Sequence, residues 1–231
     1  MRKIGIVLAS LCVFSAFAPA QDRSSWEAYV GYQYTYSDYG PIQDASNAIA
    51  NAYTETVNVD HKFSMTGGNG EFQKNIKHRW AAVLDIGGMY TTQNVDLSRY
   101  FQLLGYIPSG STQVSNFTPI VYTITGGPQV DVWKRGQLRV FARAFGGASR
   151  SVLSMDTTTR QALSFLAPKF KTTTTDPAVI AGGGAQYPVP FMKHLFFRGT
   201  ADFVHPFSSG SQQNYLRITG GIVINKLGKP Y

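Results

Sequence analysis

Residues 26–37 read Trp26-Glu27-Ala28-Tyr29-Val30-Gly31-Tyr32-Gln33-Tyr34-Thr35-Tyr36-Ser37, and this stretch decides the fold. Trp26, Ala28, Val30, Tyr32, Tyr34 and Tyr36 occupy every second position, while Glu27, Gly31, Gln33 and Thr35 lie between them. A β-strand sends successive side chains to opposite faces, so this segment has one apolar, aromatic face and one small, polar face. Trp26 and Tyr36 stand near the two ends of the apolar face. Rings placed in this way suit a pair of membrane–water interfaces, and they also suit packing in a soluble β core.

Working outward, the same alternation recurs in eight strand-like segments, at about 26–37, 62–73, 80–91, 118–133, 137–149, 178–188, 195–204 and 214–225. In the third, Trp80, Ala82, Leu84, Ile86 and Tyr90 oppose Asp85 and Gly87. In the fifth, Leu138, Val140, Ala142 and Ala144 oppose Gln137, Arg139 and Arg143. In the seventh, Leu195, Phe197, Ala201 and Phe203 oppose Arg198, Thr200 and Asp202, and in the eighth Leu216, Ile218, Ile222 and Ile224 oppose Arg217, Thr219 and Asn225. No long segment carries a helical apolar period, although residues 45–52 are compatible with a helical turn inside a loop.

The connections separate the membrane reading from the soluble one. Lys74 to Arg79, Lys134-Arg135-Gly136 and Val189 to His194 are short. The connections at about 38–61, 92–117, 150–177 and 205–213 are long, so long and short alternate strictly along the chain. An up-and-down barrel collects odd connections at one end and even connections at the other. Short periplasmic turns and long outer loops are the asymmetry of an outer-membrane barrel. The long connections carry polar clusters such as Ser109-Gly110-Ser111-Thr112, Thr157-Thr158-Thr159 and Thr172 to Thr175, which read as solvated loops.

Composition agrees. Of 231 residues, 15% are charged against a usual share of about 25%, and 13% are aromatic. Residues 1–20 read as an export signal: Arg2 and Lys3 precede an apolar stretch from Ile4 to Phe17, and Ala18-Pro19-Ala20 has the small residues of a cleavage site. Residues 21–231 are then the barrel domain. Cys12, the only cysteine, lies in the leader, so the mature chain has no disulfide and no thiolate chemistry. The formal net charge is +8, and cleavage removes Arg2 and Lys3 from it. With no Lys/Arg-rich run, that surplus suits anionic lipopolysaccharide and outer-membrane lipid better than nucleic acid.

Several stretches resemble the small OmpA-like or OmpX-like barrels of the bacterial outer membrane. Glu27-Ala28-Tyr29-Val30-Gly31-Tyr32-Gln33-Tyr34 resembles their first strand. Gly68-Asn69-Gly70-Glu71-Phe72-Gln73, a turn, and Arg79-Trp80-Ala81-Ala82-Val83-Leu84-Asp85-Ile86-Gly87-Gly88 resemble their next hairpin. Ala181-Gly182-Gly183-Gly184-Ala185-Gln186-Tyr187 with Leu195-Phe196-Phe197-Arg198-Gly199-Thr200-Ala201-Asp202-Phe203 resembles the sixth and seventh strands, and Asn214 to Val223 the closing one. The resemblance implies an all-β, eight-stranded antiparallel up-and-down transmembrane β-barrel in the outer membrane. It also implies delivery by the barrel-insertion machinery, which reads an aromatic on the last strand. Here the strand-like run ends near Asn225, and Pro230 precedes the final Tyr231.

In such a barrel the polar face points inward. The inward charges are then Glu27, Glu71, Asp85, Asp131 and Asp202 with Arg139, Arg143, Arg198 and Arg217. An eight-stranded barrel is just wide enough for side chains to fill, and unpaired ions out of water are costly. An interior ion-pair network that plugs the barrel is therefore expected, with a surface-interaction or structural role carried by the long loops. A narrow channel is one alternative. A lipid-modifying enzyme is another, with His61 and His205 near the outer rim beside Ser208 and Ser209, and His78 and His194 in short turns. No Gly-x-Ser-x-Gly elbow, metal-ligand spacing or phosphate-binding loop supports catalysis, a metal or a cofactor. A soluble periplasmic ligand-binding barrel, with the apolar face inward, is the remaining alternative.

Overall fold

The computed structural model describes residues 26–38, 62–77, 79–96, 98–103, 105, 107–112, 114–157, 159–161, 172–192, 194–207 and 214–226. The expected leader at 1–20, the helical turn at 45–52 and the tail after Lys226 lie outside the described residues.

The strands are β1 (Trp26–Asp38), β2 (Lys62–Lys77), β3 (Trp80–Tyr90), β4 (Gln93–Asp96), β5 (Val114–Arg135), β6 (Leu138–Met155), β7 (Thr173–Pro188), β8 (Leu195–Pro206) and β9 (Tyr215–Lys226), with a short helix α1 (Ser98–Leu103). The sheet runs β3-β2-β1-β9-β8-β7-β6-β5, and β3 pairs with β5 to close it. β4 pairs with the same strand, β5, and so prolongs β3 past a break at Thr91 and Thr92. The result is an all-β, antiparallel barrel of eight staves. Closure leaves no unpaired edge, which is the condition for β structure to cross lipid.

The faces sort as the alternation requires. Val30, Tyr32, Leu84, Ile86, Tyr122, Ile124, Phe197, Phe203, Ile218 and Ile224 are exposed, while Glu27, Gln33, Glu71, Asp85, Arg143, Arg198, Asp202 and Arg217 are buried. A soluble barrel would invert these lists. Trp26, Trp80, Trp133 and Tyr187 stand exposed at the end that carries the short turns. Tyr36, Tyr90, Tyr122 and Phe203 stand exposed toward the loop end. The apolar band between two aromatic belts is the outer surface of a membrane barrel.

Trp133 reaches this surface through a local irregularity. Odd-numbered residues of β5 point inward from Ser115 to Gln129, which would turn Trp133 into the lumen. The register with β6 shifts between Asp131 and Trp133, leaving Val132 and Trp133 both exposed. An extra residue in one strand re-aims everything that follows it.

At the loop end the structure departs from the expected strand bounds, and β6 runs to Met155 rather than ending near 149. β5 begins at Val114 rather than near 118, β7 begins at Thr173 rather than near 178, and residues 93–96 are strand. The four threonines Thr172 to Thr175, read as solvated loop, mostly pair with β6, where Arg150 lies opposite Thr175 and Val152 opposite Thr173. Beyond the outer belt no face touches lipid, so the apolar–polar alternation that marks a strand is absent there. Thr157 likewise opens a short helical turn, with the Arg160 amide donating to the Asp156 carbonyl. The Asp156 carboxylate caps it, accepting from the Thr159 amide at 2.9 Å and the Thr159 hydroxyl at 2.7 Å.

The β5–β6 turn is tight. Arg135 pairs with Leu138, leaving Gly136 and Gln137 as a two-residue loop, and Gly136 has φ 58°. A glycine with positive φ at the first position of such a loop matches the twist of the flanking strands. Gly136→Ala is expected to lower unfolding stability by about 1–2 kcal/mol, read as an earlier urea midpoint in micelles, while Gly136→Asn recovers most of the loss. An Ala variant with an unchanged midpoint would contradict the turn geometry.

Candidate functional site

Among the described residues, chemistry-bearing side chains concentrate in the lumen. Each stave contributes inward residues at a spacing of two, and the charged ones interlock. Starting at the turn end, Arg139 Nη2 lies 3.2 Å from Glu27 Oε1. Glu27 Oε2 accepts from Arg198 Nη2 at 3.0 Å, and Arg198 Nη1 donates to Glu71 Oε2 at 2.8 Å. Glu71 Oε1 receives Arg143 Nη1, whose guanidinium also donates from Nε to Asp202 Oδ1 at 2.8 Å and from Nη2 to Asp202 Oδ2. Asp202 Oδ2 accepts from Arg217 Nη2 at 3.1 Å, and Arg217 forks onto Asp85 at 2.8 and 3.1 Å. Asn69 Nδ2 ends the chain with a 2.8 Å donation to Asp85 Oδ2.

This path alternates in sign at every step: Arg139, Glu27, Arg198, Glu71, Arg143, Asp202, Arg217, Asp85. Side chains along it are almost completely buried, apart from Arg139 at 14% exposure. The forked guanidinium lets Arg143, Arg198 and Arg217 each hold two carboxylates at once, which a lysine ammonium does less well. Neutral groups complete the shells. Gln186 Oε1 accepts from Arg198 Nε and Nη2 at 3.1 and 2.7 Å, and Thr200 Oγ1 accepts from Arg143 Nη2 at 2.9 Å. Aromatic faces complete the packing, with the Arg198 guanidinium 5.6 Å from the Tyr29 ring and 5.3 Å from Phe141, and Arg143 5.2 Å from Phe145.

The structure thus brings together Glu27, Glu71, Asp85, Arg139, Arg143, Arg198, Asp202 and Arg217. Asp131 sits outside this path at the β5 bulge, half-buried, with its amide donating to the Arg79 carbonyl at 3.0 Å. Missing from the sequence reading were the neutral partners Asn69 and Gln186 and the inward rings Tyr29, Phe141 and Phe145. The rings gave a weak signal because an aromatic side chain reads as part of the outward apolar face, Tyr29 among Trp26, Tyr32 and Tyr34, and Phe141 and Phe145 among Val140, Ala142 and Ala144.

Glycine makes the room. A Cβ on Gly182 would lie 2.4 Å from Asp202 Oδ1 and 2.3 Å from the Ala201 carbonyl oxygen, and one on Gly184 would lie 2.8 Å from the Phe141 ring. The Gly182-Gly183-Gly184 run is therefore a slot for the Arg143–Asp202 contact and the Phe141 ring, not a phosphate loop.

A mainly apolar layer, with Thr35 and Ser151 among it, follows on the loop side of the charges. Met89 lies four residues beyond Asp85, Val204 two beyond Asp202 and Tyr215 two beyond Arg217 along their strands, and all three are buried, as are Met65, Val121 and Ile180. Higher still, Phe117, Leu153 and Met155 on β5 and β6 and Phe101 on α1 are buried above the outer belt. There Ser115 Oγ lies 2.6 Å from Thr159 Oγ1.

At the outer rim, His205 Nδ1 lies 2.5 Å from Asn214 Oδ1, and the Phe207 ring packs edge-on at 4.7 Å. His61, His78, Ser208 and Ser209 lie outside the described residues, and His194 is exposed in the β7–β8 turn. Among the described residues no group of His, Cys, Asp and Glu is arranged to hold a metal ion.

No protein-family description matches this sequence, and no curated protein matches it either. Solved structures do match in three dimensions. Neisserial surface protein A superposes with a TM-score of 0.54 at 7% identity, over 89% of this chain and 100% of that one. The attachment invasion locus protein Ail of Yersinia pestis, solved with the heparin analogue sucrose octasulfate, gives 0.49 at 9% identity, over 88% and 100%. The outer membrane protein OprG of Pseudomonas aeruginosa gives 0.47 at 9%, over 89% and 97%. The fold is that of the small outer-membrane barrels, and the apolar outer band is a lipid-facing surface.

Because Arg143 and Asp202 are buried partners, removing either leaves an uncompensated ion in the lumen. Arg143→Ala and Asp202→Ala are each expected to cost about 3–5 kcal/mol of stability. Unfolding in urea with lipid vesicles, followed by the heat-dependent gel shift of the folded barrel, measures this. Gly182→Ala should lose stability in the same assay although it removes no charge. Wild-type midpoints in all three variants would show that these contacts do not hold the barrel together.

Proposed function

We propose that the protein is a non-conducting outer-membrane scaffold whose loop end is an interaction surface. The observation that carries the reading is the uninterrupted path of ion pairs across the lumen, with an apolar layer beyond it. Ions crossing the barrel would have to displace guanidinium groups that each hold two carboxylates. An eight-stave interior has no spare width beside those side chains. This supports a plug over a narrow channel.

The loop end supports the interaction role. β5 and β6 continue past the outer belt, β4 pairs alongside them, and α1 folds against this extension with Phe101 buried. The segment is tied down by the Ile107 amide donating to the Phe101 carbonyl at 3.3 Å and by Gln102 Nε2 donating to the Ser111 carbonyl at 2.8 Å. Pre-formed backbone above a membrane binds partners with less ordering cost than free loops do. Lipopolysaccharide is the nearest anionic partner, and Arg150, exposed on β6 near Tyr122, lies at its level. The lumen charges are structural in this reading, and the protein performs no catalysis. Residues 1–20 serve as its export signal, and the barrel-insertion machinery delivers it.

Single-channel recording in planar bilayers is the test. The wild-type barrel is expected to give no discrete conductance steps, and Arg143→Ala combined with Arg198→Ala to admit small ones if it folds. Steps in the wild type would replace the scaffold reading with the channel reading. For the loop end, barrel in nanodiscs is presented to arrays of glycans and matrix proteins, with residues 97–113 replaced by a short Gly-Ser linker as the comparison. Retention of all binding by the shortened protein would remove the interaction role from this extension.

A further inference from the structure

The two rims differ in chemistry. All three tryptophans, Trp26, Trp80 and Trp133, stand at the turn end, 36%, 41% and 46% exposed. Basic positions collect at the same end. Lys74 is exposed on β2, Lys134 and Arg135 are exposed at the β5–β6 turn, and Lys226 ends β9. The acid nearest to Trp26 in sequence, Glu27, is turned into the lumen and held by Arg139 and Arg198. The outer surface at this rim is therefore cationic and aromatic together.

The densest point is the β9–β1–β2 seam. Trp26 is in register with Lys74 on one side and with Lys226 on the other. Its ring packs on Phe72 with centroids 4.7 Å apart and planes at 32°, and Lys74 Nζ sits 5.0 Å from the ring centroid. Among the described residues no carboxylate lies within salt-bridge distance of Lys74. An ammonium resting on an indole face keeps donors for an anion arriving from the membrane side. Indole rings settle where hydrocarbon meets headgroups, so the group found at that depth is a phosphate.

We propose that Trp26 and Lys74 bind the phosphate headgroup of an anionic phospholipid in the leaflet at the turn end. Trp26 fixes the depth, Phe72 fixes the ring, and Lys74 supplies the charge. Phospholipid is the occupant because the short turns face the periplasm, away from the lipopolysaccharide leaflet. The site is independent of the lumen and of the loop-end role.

Spin-labelled lipids provide the test. Full-length folded protein is placed in phosphatidylcholine vesicles, and association of nitroxide-labelled phosphatidylglycerol is compared with that of labelled phosphatidylcholine. A surface cation attracts an anionic lipid by a factor on the order of five. The wild type is expected to enrich phosphatidylglycerol by roughly two- to fivefold at low salt, with the enrichment falling as salt rises. Lys74→Gln should abolish most of it, Lys74→Arg should retain it, and Arg150→Gln at the opposite rim should leave it unchanged. The heat-dependent gel shift confirms that each variant is folded. Equal association of the two lipids in the wild type overturns the proposal, as does full enrichment in Lys74→Gln. Loss in Arg150→Gln alone would move the site to the loop end and overturn it equally.

Discussion

The need to neutralise charge inside a narrow, dry lumen governs this structure. Guanidinium and carboxylate groups cannot sit unpaired at this depth without a penalty of several kcal/mol each. The chain meets that constraint by alternating sign along one continuous path, from Arg139 at the turn end to Asp85 below the apolar layer. The groups around it serve the path. Gln186, Thr200 and Asn69 occupy remaining donors and lone pairs, Gly182 and Gly184 clear space, and Tyr29, Phe141 and Phe145 cover guanidinium faces.

How much of this was legible depended on whether lipid lay outside the residue. Within the membrane band, one face must be apolar, so β1, β3, β8 and β9 announced themselves by strict alternation. The inward charges followed from the same rule, because orientation alone decides which side Glu27 or Arg217 faces. Beyond the outer belt the rule lapses. Thr173 to Thr175 form strand because β6 offers partners, and nothing in their side chains records it. At the other end, the β5 bulge shifts Trp133 outward by one inserted residue, a change that a period of two cannot express. Asp131 falls beside that shift.

The two ends divide the remaining work. The turn end is tight and carries the tryptophans and a basic surface, as a boundary with phospholipid requires. The loop end is prolonged by β4, β5, β6 and α1, and it buries Phe101, Phe117, Leu153 and Met155 outside the membrane band. A barrel held together by its lumen is free to vary that extension. The ion pairs and the lipid-facing band both lie below it, so changes there need not disturb either.

The distribution of charge along the chain favours closure in one step. Strands β1, β2 and β3 bring only acids into the path: Glu27, Glu71 and Asp85. Strands β6, β8 and β9 bring every arginine, with Asp202 as their only carboxylate. Each half alone would carry a large unbalanced charge on the face that becomes the lumen. That charge is tolerable while the face is wet and costly once it is enclosed. The halves meet along β1–β9 and β3–β5, and the same event pairs Glu27 with Arg198, Glu71 with Arg143 and Asp85 with Arg217. A partly closed barrel would combine the unpaired strand edge with the unpaired ions, so the ion-pair path makes any state short of the closed ring the worse one.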